Sequence, residues 1–151
     1  MKVREFSKWI SENDEICQGG PTSGEGRIKD VERKTGLVVP GPLRELYRLH
    51  DGVEMPHGYI PPLQGESSLP EMIDVIKEAD LGWDLAAWLP FFDYQTGDYD
   101  AVEIKSPKGR VGRLDQKTGE MMEVAPSFEE WLEMAVDEAV RYTEDLKAKE
   151  E

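Results

Sequence analysis

Three aspartates crowd one short stretch of this chain. Asp93, Asp98 and Asp100 surround Gly97, with Tyr94 and Tyr99 interleaved. Carboxylates at that spacing suggest three chemistries: calcium binding, glycoside hydrolysis by a carboxylate pair, or contact with a basic partner. A calcium loop places oxygen ligands at alternate positions about a central glycine and closes on a later bidentate glutamate. The run Asp93-Tyr94-Gln95-Thr96-Gly97-Asp98 lacks that order. A catalytic carboxylate pair has no specificity as a signal here, because 32 Asp and Glu among 151 residues supply such pairs by chance. Acids on a solvated turn beside ordinary strand aromatics are the plain reading; contact with a partner is the functional one. Exposed tyrosine and tryptophan are favoured binding anchors. Asp93, Tyr94, Asp98, Tyr99 and Asp100, with Asp84 upstream, therefore form the candidate partner-binding surface.

The other chemistry-bearing residues are less specific. His50 and His57 lie near Asp51 and Glu54, but seven positions apart across a Pro-Gly loop, which is no recognised zinc-ligand spacing. His50 reads instead as a helix-end residue near the negative end of the dipole. The single cysteine, Cys17, rules out an intrachain disulfide and suits a reducing compartment. It sits beside an apolar helix face and is expected to be a buried, inert thiol. No nucleophile elbow, P-loop or dinucleotide fingerprint is present. No catalytic set, cofactor or metal is expected.

A formal net charge of -14 narrows the partners. Nucleic-acid binders need clustered Lys and Arg for phosphate contacts, and an anionic membrane surface repels this chain. The charge keeps a protein soluble and attracts a basic partner at long range. No apolar run approaches the roughly 20 residues of a membrane span. The first residues mix charges of both signs and lack the apolar core of a signal peptide. A cytoplasmic location is expected.

These residues need elements to position them. Val3, Phe6, Ile10 and Ile16, with Trp9 and Cys17 alongside, predict an amphipathic first helix. A second helix is expected from Glu25 to Thr35, capped by Gly36 in the left-handed conformation. Pro42 is placed to open a third, with Leu43, Leu46, Tyr47 and His50 inward and Asp51-Gly52 at its end. The proline-rich segment 53–65 allows at best an edge hairpin around Tyr59 and Ile60. Ser68 and Glu71 form a capping box for a helix from Pro70 to about Ala79.

From Trp88 to Trp131, apolar runs alternate with turn clusters at 95–98, 106–109 and 116–119, the pattern of an antiparallel meander. Gly112 suggests a bulge. Met122 and Val124 alternate with Glu123 in the last strand. Ser127 and Glu130 form a second capping box. Phe128, Trp131, Leu132, Ala135, Ala139, Tyr142 and Leu146 follow on one face of a long closing helix. Residues 147–151 are expected to fray. The fold class is α+β: one domain over residues 1–151, a mainly antiparallel sheet packed with helices.

The order Leu37-Val38-Val39-Pro40, Leu49-His50-Asp51-Gly52, Leu89-Pro90-Phe91, Gly97-Asp98 and Ser127-Phe128-Glu129-Glu130-Trp131-Leu132 resembles the SMI1/KNR4 family, also called the SUKH superfamily, over about residues 25–145. Val39-Pro40 stands where the family has Leu-Pro, and Asp51-Gly52 where it has Asn-Gly. Both keep proline at a helix start and glycine past a helix end. The resemblance implies a single α+β domain that binds proteins and carries no catalytic set. Many bacterial members are immunity proteins that block a toxin domain, whereas fungal members are regulatory scaffolds. For this chain it implies stoichiometric occlusion of a basic, nuclease-like toxin domain through an acidic face. A regulatory or scaffold module with another partner is the alternative, and an enzyme acting on a small molecule a more remote one. Oligomeric state and partner identity stay open.

Overall fold

A computed structural model describes residues 1–150 of the chain. The helices of the first half each bury one stripe. Helix α1 (Val3–Glu12) buries Val3, Phe6 and Ile10, and it ends where the Asn13 side chain donates to Trp9 O at 2.8 Å. Ile16 and Cys17, expected to prolong its face, lie in a separate turn whose N–H groups both donate to Asn13 O. The sequence periodicity persists across a backbone that is no longer helical, and Cys17 is buried all the same.

Strand β1 (Gln18–Gly19) follows, then helix α2 (Glu25–Thr35), which ends at Gly36 with φ +74° as expected. Helix α3 (Gly41–Leu49) starts one residue earlier than expected, so Pro42 takes its second position. Pro40, in extended backbone, precedes it. α3 also stops earlier: His50 is extended (φ -142°) and is the cap rather than a member of the inner stripe. Gly52 forms a distinct turn at φ +90°. A Cβ there would lie 2.9 Å from Ile60 O and 3.0 Å from Pro62 N, so only glycine permits this approach.

The hairpin of β2 (Val53–Met55) and β3 (Gly58–Ile60) is not at the sheet edge. Its three prolines fall in the turn and beyond Ile60, so no ladder donor is lost inside either strand. Helix α4 (Leu69–Ala79) comes next. Ser68 Oγ accepts from Glu71 N, while the Glu71 carboxylate accepts from Ser67 N at 2.8 Å, a capping box displaced by one residue. The sheet is completed by β4 (Trp88–Asp93), β5 (Tyr99–Glu103), β6 (Val111–Leu114) and β7 (Met121–Ala125). Among the described residues it has seven strands, each antiparallel to the next in chain order from β1 to β7.

A register shift between Pro90 and Phe92 lets both Phe91 and Phe92 enter the core. A second shift lies between Val111 and Gly112, where the bulge was expected. In β7 the expected alternation is only half obeyed. Val124 is half-buried, but Met122 is 65% exposed, because β7 is the edge strand and only its C-terminal end is covered.

Helix α5 (Phe128–Glu150) closes the fold. Ser127 Oγ accepts from Glu130 N at 3.2 Å. Phe128 packs on Phe91, and Trp131 on Phe91 and Phe92, with ring centroids 4.7–5.5 Å apart. The helix outruns the core, so Tyr142 and Leu146 are exposed rather than inward. It continues through residues 147–150, the stretch expected to fray, and Glu151 lies outside the described residues. No helix among the described residues is long and apolar enough to cross a membrane.

Candidate partner-binding surfaces

The turn between β4 and β5 is held by its own aspartates. Asp93 Oδ1 accepts from Gln95 N at 2.7 Å, and Gln95 adopts φ +63°, a conformation costly for a residue with a side chain. Gly97, at φ +97°, faces the Gln116 side chain at a distance that leaves no room for a Cβ. Asp98 Oδ1 accepts from Gln116 N at 3.3 Å and ties this turn to the one between β6 and β7.

Strand geometry then divides the predicted cluster. Successive side chains of a strand point to opposite faces, so Tyr99 and Asp100 part company. On one face, Asp93 pairs in register with both Tyr59 and Tyr99. Tyr59 Oη donates to Asp93 Oδ2 at 3.2 Å, and Trp83 packs edge-on against Tyr99 at 6.1 Å. Burial, helped by the Asp93 charge, pushes the Tyr59 hydroxyl up to about 12 and raises that of Tyr99. Asp84 is exposed in the loop beside Trp83, where its carboxylate accepts from Ala86 N at 3.1 Å. Asp84, Asp93 and Tyr99 therefore stand on the Trp83 side, and Asp98 at the turn itself.

On the other face, under α5, Asp100 is 0% exposed. This corrects its place among the contact residues: it presents nothing to a partner. Its Oδ2 accepts from Tyr94 Oη at 2.5 Å and from Trp131 Nε1 at 2.8 Å, and its Oδ1 accepts from Arg113 Nε at 2.9 Å. Arg113 Nη2 also donates to Tyr94 Oη at 2.6 Å, and its guanidinium lies over the Tyr94 ring, 4.7 Å from the centroid. A buried carboxylate without partners costs several kcal/mol, and this one is met by three side chains. Burial and the neighbouring Asp100 charge keep the Tyr94 hydroxyl protonated far above neutral pH. Tyr94 is thus half-buried and committed to the interior by its hydroxyl.

The histidines do not converge. His50 bonds Ser7 Oγ at 2.8 Å and Gly20 O at 3.2 Å, between α1, α3 and β1. His57 caps the β2–β3 hairpin and packs on Phe92 and Tyr94 at 5.2 and 6.2 Å. Among the described residues, no group of three His, Cys, Asp or Glu could hold a metal ion. Burial raises the Cys17 thiol to about 12, which keeps it protonated and unreactive at neutral pH.

Arg113, Trp131 and His57 are the residues missed as neighbours of this cluster. Arg113 is the cross-strand partner of Asp100, a relation that needs the β5–β6 register. The opposite charges were visible, but thirteen residues apart they signalled nothing.

Comparison with known proteins agrees with this architecture. No curated protein matches the chain. The family model described as SMI1 / KNR4 family (SUKH-1) matches residues 24–134, from the start of α2 to the second turn of α5. That span contains α2, α3, every strand from β2 to β7 and the Asp100 network, and on it the chain belongs to the SMI1/KNR4 family.

Proposed function

We propose that this chain is a non-catalytic immunity protein that neutralises a basic toxin domain by occupying its working surface. The observation that carries this reading is the pairing of the family fold with a net charge of -14. The contact surface is the β4–β5 turn and its Trp83 side: Asp84, Asp93, Asp98 and Tyr99, with Tyr94 at the rim and Tyr59 beside them. Half-buried aromatic rings there sit among carboxylates, the composition of an anchor patch for a cationic protein. Asp100 supports the turn from beneath. The scaffold supplies a stable sheet, and the surface side chains supply specificity. The setting proposed is the cytoplasm, with no cofactor.

The test is co-expression of this protein with the product of the adjacent reading frame. Rescue of growth and a one-to-one complex at micromolar concentration are expected. Asp93→Lys with Asp98→Lys should weaken that complex at least about tenfold, since like charges at an interface are strongly unfavourable. A complex without any toxicity to relieve would favour the regulatory-module reading. Absence of both complex and rescue removes the immunity reading.

A further inference from the structure

A cleft opens between α5 and the face of the sheet that holds Asp100. It has a volume of about 380 Å³ and is lined by Tyr94, Arg113, Val124, Met134, Glu138 and Tyr142 among others. It continues past His57 and Tyr142 into a hollow of about 310 Å³ that reaches Asp98. The contact turn described above uses only the rim of this space.

The charges around it can be counted. Arg113 is neutralised by Asp100 and fixed on the Tyr94 ring. Burial lowers the pKa of His57, so it adds no positive charge near neutral pH. What remains is Glu138 on the helix wall and Asp98 at the far end. Glu138 makes only a 3.5 Å bond to Arg141, an exposed neighbour on the same helix. Between the two carboxylates lie apolar and aromatic surfaces: Val124, Met134 (45% exposed) and Tyr142 (42% exposed).

A guest must therefore have an apolar stem and a cationic end. An anion would meet two carboxylates and the field of a chain at -14. A purely apolar group would strip water from Glu138 without offering it a partner. A lysine or arginine side chain meets every requirement. Its methylenes would cover Met134 and Val124, its charge would reach Glu138, and the partly exposed Tyr142 in the same lining adds an aromatic neighbour for the cation.

We propose that this cleft is an anchor pocket for a lysine or arginine side chain on the surface of a partner protein. The proposal rests on the reading of a basic partner and adds a second contact point, on the α5 side of the sheet.

The probe is N-acetyl-arginine methylamide, titrated into the full chain and followed by two-dimensional NMR, with the uncharged citrulline counterpart alongside. Saturable shifts are expected at Met134, Tyr142 and the Trp131 indole with arginine and not with citrulline. E138Q and Y142A change exposed side chains and should each raise the dissociation constant about threefold. E78Q removes an equal charge from exposed α4 and should leave it unchanged. Shifts scattered over the acidic surface, equal binding of citrulline, or an equal loss in E78Q would overturn the pocket. A toxin complex indifferent to E138Q and Y142A, with no probe shifts, would overturn the pocket alone. Saturable probe binding without any toxin complex would overturn the immunity reading and leave the pocket standing.

Discussion

At the scale of single residues, Asp100 decides how the β4–β5 region behaves. It is a fully buried carboxylate in a chain whose other acids mostly face water. Its charge is tolerable because Arg113, Tyr94 and Trp131 all donate to it. Removing one partner leaves an uncompensated interior charge. Arg113→Met should therefore cost about 3 kcal/mol in urea unfolding. The same change in an Asp100→Asn background should cost clearly less, and equal costs in the two backgrounds would show that the pair is not coupled. Trp131→Phe keeps the aromatic packing but deletes one donor, for a loss of about 1–3 kcal/mol. The sequence presents Asp100 as one more acid beside Gly97. Its burial depends on strand parity at Tyr99 and on the pairing with Arg113, and neither is local information.

At the scale of elements, α2 and α3 are joined by an ionic clamp that local patterns also hid. Arg44 bonds Glu25 at 2.7 Å and Glu32 at 2.7 and 3.0 Å, and Arg48 bonds Glu25 at 2.7 Å. Hydrogen bonds from Arg48 and Arg44 hold the Glu25 carboxyl down to about 2, and Arg44 lowers that of Glu32. Folded values below the ordinary 4.5 mean that this stabilisation is complete at neutral pH. It is lost as pH falls from about 4.5 toward 2. The urea midpoint should drop over that window, and Arg44→Met should flatten the drop. An unchanged acid limb in the variant would exclude the clamp as its source. Elements with a strong period and definite caps were legible: α2 to the residue, α4 to within one, and the start of α5 from Ser127 and Phe128. The hairpin around Tyr59 was read as an edge because three prolines argue against ladder hydrogen bonds. They turned out to flank its strands, which leaves both sides of the hairpin free to pair with β1 and β4. Tyr142 and Leu146 keep the apolar period of α5 after the core has ended, so periodicity alone could not mark where burial stops.

At the scale of the molecule, a net charge of -14 acts on approach as much as on contact. Association with a basic partner should be accelerated at low salt. Its rate constant, followed by stopped-flow fluorescence of the tryptophans, should fall at least about tenfold between roughly 0.05 and 0.5 M NaCl. A rate indifferent to salt would remove charge steering from the mechanism.

The chain-order sheet has a further consequence during synthesis. Each strand pairs with the one made just before it, so the sheet can grow strand by strand as the chain leaves the ribosome. The cover for that sheet is made last: Phe128, Trp131 and Leu132 belong to α5, whose last buried residue is Ala139. Until α5 arrives, Asp100 lacks its Trp131 donor, Phe91 and Phe92 lack their aromatic lid, and only the earlier helices cover the nascent sheet. Docking of that one helix is what seats the Trp131 indole on the carboxylate. A nascent chain arrested before Ala139 would stay open to proteolysis, and the finished chain would close as one unit.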